Sequence, residues 1–210
     1  MSAAHDIDLA RINAELGRDA PALVAWALGL GKQAIVTTNF RPFEAVILHL
    51  VTRVQPDVPV VWMDNGYNTA ATYRYADEVS KRLNLHLKIY LPLRSRAHRE
   101  AVDGPTPAIG APGHDAFTQE VKLEPFARAL RETGPEVWFT ALRATDSAVR
   151  AQMEPVSINP DGLIKVAPLL HWSSKELHEY CVQHGLPNNF DYVDPTKGEE
   201  QRECGLHLAH

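Results

Sequence analysis

The chain has 210 residues, of which 45% are hydrophobic and 22% charged, enough for one domain with a sizeable core. Its formal net charge of −5 at pH 7 argues against a general binder of nucleic acids or membrane surfaces, because such proteins usually carry a basic excess. Its two cysteines exclude a disulfide framework. We also find neither a signal-peptide pattern at the polar start nor an apolar stretch near the roughly 20 residues that span a bilayer, so we expect a cytoplasmic protein.

Short β-branched and apolar runs alternate with helical patterns along most of the chain. The runs predict about five strands, at residues 34–38, 58–63, 87–91, 137–141 and 163–167. Apolar residues spaced three and four apart predict helices between them, over residues 43–50, 73–83, 123–130 and 173–184. This alternation predicts an α/β fold, a doubly wound and mostly parallel sheet with helices on both faces. We expect the strands at 34–38, 60–63, 87–91 and 137–141 to be buried.

Two segments, residues 103–113 and 188–210, lack the periodicity of a helix or a strand. Residues 103–113 are rich in glycine and proline and are expected to form a mobile loop. The last predicted helix opens on the capping box Ser173-Ser174-Lys175-Glu176 and stops at Gly185. We therefore assign residues 1–187 to an α/β domain and residues 188–210 to a flexible, polar C-terminal arm.

Polar residues follow the first predicted strand, where an open α/β sheet binds its ligands. Thr37, Thr38, Asn39 and Phe40 lead through Arg41 towards a helix. Hydroxyls, backbone amides and a guanidinium at such a place suit a phosphate or sulfate. The alternative is an ordinary loop in which the next proline starts the helix and a threonine or asparagine caps it.

The second predicted strand ends at Asp64, with Gly66 two residues later. The carboxylate is a candidate to accept hydrogen bonds from a ribose or an adenine. The competing interpretation is a tight turn built on the aspartate and the glycine.

Two arginines follow the fourth predicted strand. If this stretch is helical, Arg143, Ser147 and Arg150 share one face. Two guanidiniums on one face indicate an anion or carboxylate partners, and Asp146 and Glu154 are the nearby carboxylates.

The two cysteines have different surroundings. Cys181 lies on the apolar stripe of the last helix, where a small thiol usually serves packing. Cys204 lies in the polar arm near Lys197, Arg202 and His207, cations that favour the nucleophilic thiolate. We therefore predict that Cys204 is functional.

A zinc site at the end of the chain is the competing interpretation. Cys204, His207 and His210 form a Cys-x2-His-x2-His triplet that would need a fourth ligand from elsewhere. Because a flexible terminus is a poor scaffold for a metal, we predict none.

The run Glu203-Cys204-Gly205-Leu206-His207 matches the active-site motif of the sulfonucleotide reductases. The chain resembles this family over most of its length, with further matches in order at Phe40 and residues 45–51, Asp64-x-Gly66-Tyr67, Thr72-Tyr73-Arg74, Lys122-x-Glu124-Pro125, Leu142-Arg143 and Ser147-x-x-Arg150. The resemblance implies an adenine-nucleotide α-hydrolase-like fold, which makes residues 1–187 the nucleotide-binding domain.

The resemblance also implies a reaction, the reduction of 3′-phosphoadenylyl sulfate to sulfite and adenosine 3′,5′-bisphosphate in sulfate assimilation. The Cys204 thiolate would attack the sulfur, and thioredoxin or glutaredoxin would resolve the S-sulfocysteine that results. Substrate-binding roles are implied for the first loop and for cations and turn residues elsewhere, namely Thr37, Thr38, Asn39, Phe40, Asp64, Gly66, Lys122, Arg143, Arg150, Arg202 and His207. The resemblance leaves a homodimer open.

The cysteine count selects a subclass within that resemblance. A cubane iron–sulfur cluster would need four cysteines besides Cys204, and only Cys181 remains, so we expect no bound cofactor. Members without a cluster use the 3′-phosphorylated substrate. The first loop departs from the family's usual Ser-Phe-Gly or Ser-Gly-Gly run, and Ala144 replaces the second arginine of a usual pair. An ATP-using adenylyl transferase or pyrophosphatase on the same fold, or an inactive nucleotide-binding relative, therefore stays open.

Overall fold

The computed structural model describes residues 7–197, and a six-stranded sheet forms their centre. The strands are β1 (Ala34–Thr38), β2 (Pro59–Met63), β3 (His86–Tyr90), β4 (Val137–Phe139), β5 (Val156–Ile158) and β6 (Ile164–Val166). Their order in the sheet is β3-β2-β1-β4-β6-β5. All neighbouring strands are parallel except β5 and β6, so the predicted mostly parallel α/β fold is confirmed.

Helices cover both faces of the sheet. They are α1 (Leu9–Leu16), α2 (Ala20–Gly29), α3 (Ala45–Val54), α4 (Ala70–Arg82), α5 (Arg96–Asp103), α6 (His114–Thr118), α7 (Glu124–Thr133) and α8 (Ser174–His184). A π-helical turn, Gln119–Leu123, joins α6 to α7. No helix within residues 7–197 is long and apolar enough to cross a membrane.

Alternating residues of the central strands supply the two hydrophobic cores. Ile35 packs with Phe126 of α7 and Trp138 on one face. Val36 packs with Phe139 and the helices of the other face. Successive side chains of a strand point to opposite sides, so one short apolar run serves both cores.

The edges of the sheet differ from the prediction. The expectation that residues 87–91 form a buried strand was wrong, since β3 is an edge strand and Ile89 and Leu91 are about half exposed. The expected strand at 137–141 ends at Phe139. The sixth strand, β5, was missed because it has only three residues and pairs antiparallel with β6. Helices α1, α2, α5 and α6 were also missed.

The side-chain amide of Asn13 continues the hydrogen bonding of the sheet beyond β5. Its Nδ2 donates to the Val156 carbonyl at 3.0 Å, and its Oδ1 accepts from the Val156 amide at 2.9 Å. Helix α1 is thereby attached to β5, the strand at one edge of the sheet.

Residues 188–197, which we call the strap, run from α8 back over the carboxyl ends of the central strands. The Phe43 amide donates to Asn188 Oδ1 at 2.8 Å, and Asn189 Nδ2 donates to Thr72 Oγ1 at 3.1 Å. Asn189 and Asp194 are buried. The first ten residues of the predicted C-terminal arm thus contact the α/β domain. Residues 198–210 lie outside the described part of the chain.

Candidate active site

A pocket of about 70 Å³ lies beyond the carboxyl ends of the parallel strands, under the strap. Four of the residues predicted to bind substrate line it, namely Thr37, Asn39, Lys122 and Arg150. The other polar and charged residues of its wall are Arg41, Glu44, Thr140, Tyr192, Asp194 and Lys197. The pocket is therefore strongly polar, and it contains carboxylates as well as cations.

The loop after β1 is folded around the carboxylate of Glu44. Oε2 of Glu44 accepts from the Thr38 hydroxyl at 2.8 Å, from the Asn39 amide at 2.7 Å and from the Arg41 amide at 3.4 Å. Glu44 is only 5% exposed. The donors that we expected to hold a phosphate or sulfate thus hold a carboxylate of the chain itself. Helix α3 begins at Ala45, so the proline of this loop does not start the helix.

Two other residues of this loop have different positions. Thr37 lines the pocket, and its hydroxyl oxygen accepts from Trp138 Nε1 at 2.9 Å. Phe40 is fully buried, with its ring centroid 5.0 Å from that of Trp62. The Phe40 side chain therefore belongs to the core.

Three guanidinium groups converge on the carboxylate of Asp146. Arg41 Nη1 lies 3.0 Å from it, Arg143 Nη2 2.8 Å and Arg150 Nη1 3.1 Å. Burial opposes ionisation of Asp146, but the positive charges of the three arginines outweigh that effect and lower its pKa. The partner that Arg143 and Arg150 share is thus a carboxylate of the chain, one of the two kinds of partner that we considered.

The segment that carries these arginines is not an α-helix. It consists of two short 3-10 turns, Ala144–Asp146 and Arg150–Gln152. As a result Arg150 is buried and lines the pocket, whereas Arg143 lies at a more exposed position outside the pocket lining and donates to Ser174 Oγ at 2.9 Å. The two guanidiniums share Asp146 but face different surroundings.

The strap holds Lys122 in the wall of the pocket. Its ammonium forms a buried ion pair with Asp194 and donates to Thr196 Oγ1 at 3.2 Å. Burial raises the pKa of Asp194, but Lys122 and the hydrogen bonds from Thr196 outweigh it and lower the pKa overall. Sequence reasoning missed Asp194, which lies in the segment that we took for a loosely held arm.

Asp64 is the centre of a turn. Its Oδ1 accepts from the Gly66 amide at 3.0 Å, from Asn68 Nδ2 at 2.8 Å and from the Tyr73 hydroxyl at 2.9 Å. Gly66 has a φ of +79°, which favours glycine over any other residue. Burial and the hydrogen bond to Asp64 raise the pKa of Tyr73 to about 12. These contacts favour the turn interpretation, and neither Asp64 nor Gly66 lines the pocket.

Of the two cysteines, the structure describes Cys181. It is buried in the core next to α3, and burial raises the pKa of its thiol to about 11. This agrees with the packing role predicted for it. Cys204, Arg202 and His207 lie outside the described residues, as does the rest of the histidine triplet.

Comparisons with known proteins agree on one family. A family model described as the phosphoadenosine phosphosulfate reductase domain matches residues 33–191. A protein of Xanthomonas axonopodis pv. citri named phosphoadenosine 5′-phosphosulfate reductase is 38% identical, covering 95% of this chain and 92% of the relative. A protein of the same name from Citrobacter koseri is 36% identical, covering 95% of this chain and 91% of the relative.

Solved structures share the fold. Phosphoadenylyl-sulfate reductase from Candida auris, in its phosphate complex, matches with a TM-score of 0.75 and 22% identity over 90% of both chains. FMN adenylyltransferase from Candida glabrata matches with a TM-score of 0.57 and 16% identity, covering 80% of this chain and 56% of that one. These two structures confirm the predicted adenine-nucleotide α-hydrolase-like fold. The family model and the curated relatives show that the chain belongs to the phosphoadenosine phosphosulfate reductase family.

Proposed function

We propose that this chain reduces 3′-phosphoadenylyl sulfate to sulfite and adenosine 3′,5′-bisphosphate, with Cys204 as the nucleophile. The observation that carries the proposal is the cationic pocket at the strand ends, to which the strap brings the end of the described chain. Lys122 and Arg150 are buried in its wall, and Lys197 lines it as well. Such cations suit the negative charges of a phosphosulfate.

The short sequence distance between Lys197, which lines the pocket, and Cys204 supports this assignment. Cys204 follows Lys197 by seven positions in the sequence. A fully extended chain of that length spans at most about 25 Å, and a folded one much less. This upper limit on the distance is compatible with attack by the Cys204 thiol on a sulfonucleotide in the pocket.

The reaction requires a thiolate and a stabilised leaving group. The Cys204 sulfur attacks the sulfonate sulfur, the bond from that sulfur to the bridging oxygen breaks, and adenosine 3′,5′-bisphosphate leaves with the electron pair. Lys122 and Arg150 would stabilise the phosphate charge that develops on it. One thiol of reduced thioredoxin or glutaredoxin then attacks the Cys204 sulfur and displaces sulfite. The second thiol of the reductant resolves the mixed disulfide, which regenerates Cys204 and leaves the reductant oxidised.

We expect the strap to move when substrate enters. Small-molecule pockets usually enclose roughly 300–1,000 Å³. With the strap in place the pocket has about 70 Å³, less than a nucleotide fills. Lifting the strap would separate Asp194 from Lys122 and free that ammonium for the substrate.

An intact-mass experiment tests the proposal. The protein is incubated with 3′-phosphoadenylyl sulfate, and in parallel with adenylyl sulfate, in the absence of any reductant. We expect a sulfonate adduct on the wild type and on Cys181→Ser, and none on Cys204→Ser. Addition of reduced thioredoxin or glutaredoxin should remove the adduct and release sulfite. Sulfite release by Cys204→Ser at the wild-type rate would refute the assignment.

Parallel incubations of the same proteins with ATP and with adenosine 3′,5′-bisphosphate distinguish the alternatives. An ATP-using adenylyl transferase or pyrophosphatase would release pyrophosphate from ATP and form no adduct. An inactive relative would bind adenosine 3′,5′-bisphosphate without forming one. The filling of the first loop by Glu44 counts against the ATP-using alternative, because a phosphate chain usually occupies backbone amides of this kind.

A further inference from the structure

The carboxylate of Glu44 occupies the concave side of the loop after β1. One of its oxygens accepts from two backbone amides and one hydroxyl, those of Asn39, Arg41 and Thr38. Backbone amides that point into a loop at the end of a parallel strand form a typical binding place for a phosphate oxygen. In this protein the carboxylate of Glu44 already occupies that binding place.

The guanidinium of Arg41 is also engaged by the protein. Its Nε donates to Glu44 Oε1 at 2.9 Å, its Nη1 to Asp146 Oδ2 at 3.0 Å and its Nη2 to the Ala141 carbonyl at 2.7 Å. Burial lowers the pKa of Arg41, but the carboxylates of Glu44 and Asp146 outweigh it and raise the pKa above its ordinary value. Arg41 therefore holds Glu44 in the loop.

Charges of both signs therefore line the pocket. Glu44 contributes a negative charge at the loop, and the cations Lys122 and Arg150, each paired with a carboxylate, contribute positive charges elsewhere in the lining. An adenylyl sulfonucleotide carries two acidic groups in its 5′ chain, whereas a nucleoside triphosphate carries three phosphates. An additional phosphate that reached the loop would have to displace Glu44 or lie against its charge.

We propose that Glu44 is a specificity determinant that excludes nucleoside triphosphates from this site. Its carboxylate takes the place of a bound phosphate, so the site accepts a short phosphosulfate chain and rejects the longer chain of ATP. The inference rests on the proposed function in one respect, because it takes this pocket to be the nucleotide site.

Titration calorimetry with ATP and adenosine 5′-phosphate tests the proposal without any turnover. In the wild type we expect ATP to bind no more tightly than adenosine 5′-phosphate. In Glu44→Ala the emptied loop should increase the affinity for ATP by about tenfold or more, the effect of one hydrogen bond to a charged group, with little change for adenosine 5′-phosphate. Glu44→Gln keeps the shape of the loop and should show a smaller increase, which provides a test if the alanine variant does not fold.

Asp146→Asn is the matched control, because it removes an equal charge from the same network but leaves the loop filled. We expect its preference between the two nucleotides to remain that of the wild type. The proposal is overturned if wild-type protein binds ATP at least tenfold more tightly than adenosine 5′-phosphate, if both Glu44 variants keep the wild-type preference, or if the control gains ATP affinity equally. Binding of neither nucleotide to any variant would overturn it together with the nucleotide site. A missing Cys204 adduct alongside these shifts would refute only the reductase chemistry.

Discussion

The ammonium of Lys122 and the carboxylate of Asp194 form a buried ion pair that joins the turn before α7 to the strap, 72 positions later in the chain. Both side chains are almost fully shielded from water. Removal of one partner leaves a buried charge uncompensated, which typically costs about 3–5 kcal/mol. We expect Asp194→Leu to lower the free energy of unfolding by an amount near the lower end of that range, as measured by urea denaturation at pH 7.

The double variant Lys122→Met with Asp194→Leu is the control for this pair. It replaces both charges by apolar groups, so its loss of stability should be smaller than the sum of the two single losses. Additive losses in this cycle would show that the two groups do not stabilise each other.

Arg150 and Arg143 form a matched pair for testing nucleotide binding. Both contact Asp146, but only Arg150 lines the pocket. Arg150→Ala should weaken the binding of adenosine 3′,5′-bisphosphate by about 1.5–3 kcal/mol, the range for a hydrogen bond to a charged group. Calorimetry should show a clearly smaller loss for Arg143→Ala. Equal losses in the two variants would mean that the arginines act on the nucleotide only through Asp146.

The stability of the protein should decrease in acid through Asp146. Its pKa in the folded protein lies below the ordinary value of 3.8, so the unfolded chain binds the proton more readily. The contribution to stability is therefore complete above the ordinary pKa and is lost as the pH falls through the folded value. Denaturation between pH 6 and pH 2 should show a weaker acid dependence for Asp146→Asn than for the wild type. Asp77→Asn, which removes an exposed ion pair with Lys81, should retain the wild-type dependence.

The thiol of Cys181 should resist alkylation as long as the protein is folded. Burial raises its pKa to about 11, so little thiolate exists at pH 8, and the side chain is only 5% exposed. In Cys204→Ser, where Cys181 is the remaining cysteine, iodoacetamide should label the protein only after denaturant is added. Rapid labelling in native buffer would contradict the buried position, and Cys181→Ser provides the comparison for the arm thiol.

The central strands and their cores could be predicted because their sequences are short runs of β-branched residues. Residues 34–38 supply apolar side chains to both faces of the sheet. In an α/β protein such a run fits few positions other than a central strand. The exposure of β3 could not be predicted in this way, since it depends on the position of the strand at the edge of the sheet. Strand β5 is too short to show a period, and it forms only because β6 and Asn13 pair with it.

The sequence predicted several residues that line the candidate site, but it did not predict which residues they contact. Lys122 and Arg150 lie in the pocket wall, and Thr37 and Asn39 do as well. Their carboxylate partners could not be identified, because an acid at the start of a helix looks the same in sequence whether it faces solvent or folds back into a loop. Asp194 presents the same difficulty, since its partner is far away in the chain.

The position of β1 at the middle of the sheet has a consequence for synthesis on the ribosome. One side of β1 pairs with β2, which follows within the next 25 residues, but the other side pairs Ala34 with Val137. The nascent chain must therefore keep an apolar strand with an unsatisfied backbone edge until about a hundred further residues have emerged. Late, long-range pairing of this kind slows folding and exposes the intermediate to association with other chains. Yield in the cell should consequently depend on elongation rate and chaperone supply more than on the stability of the finished fold.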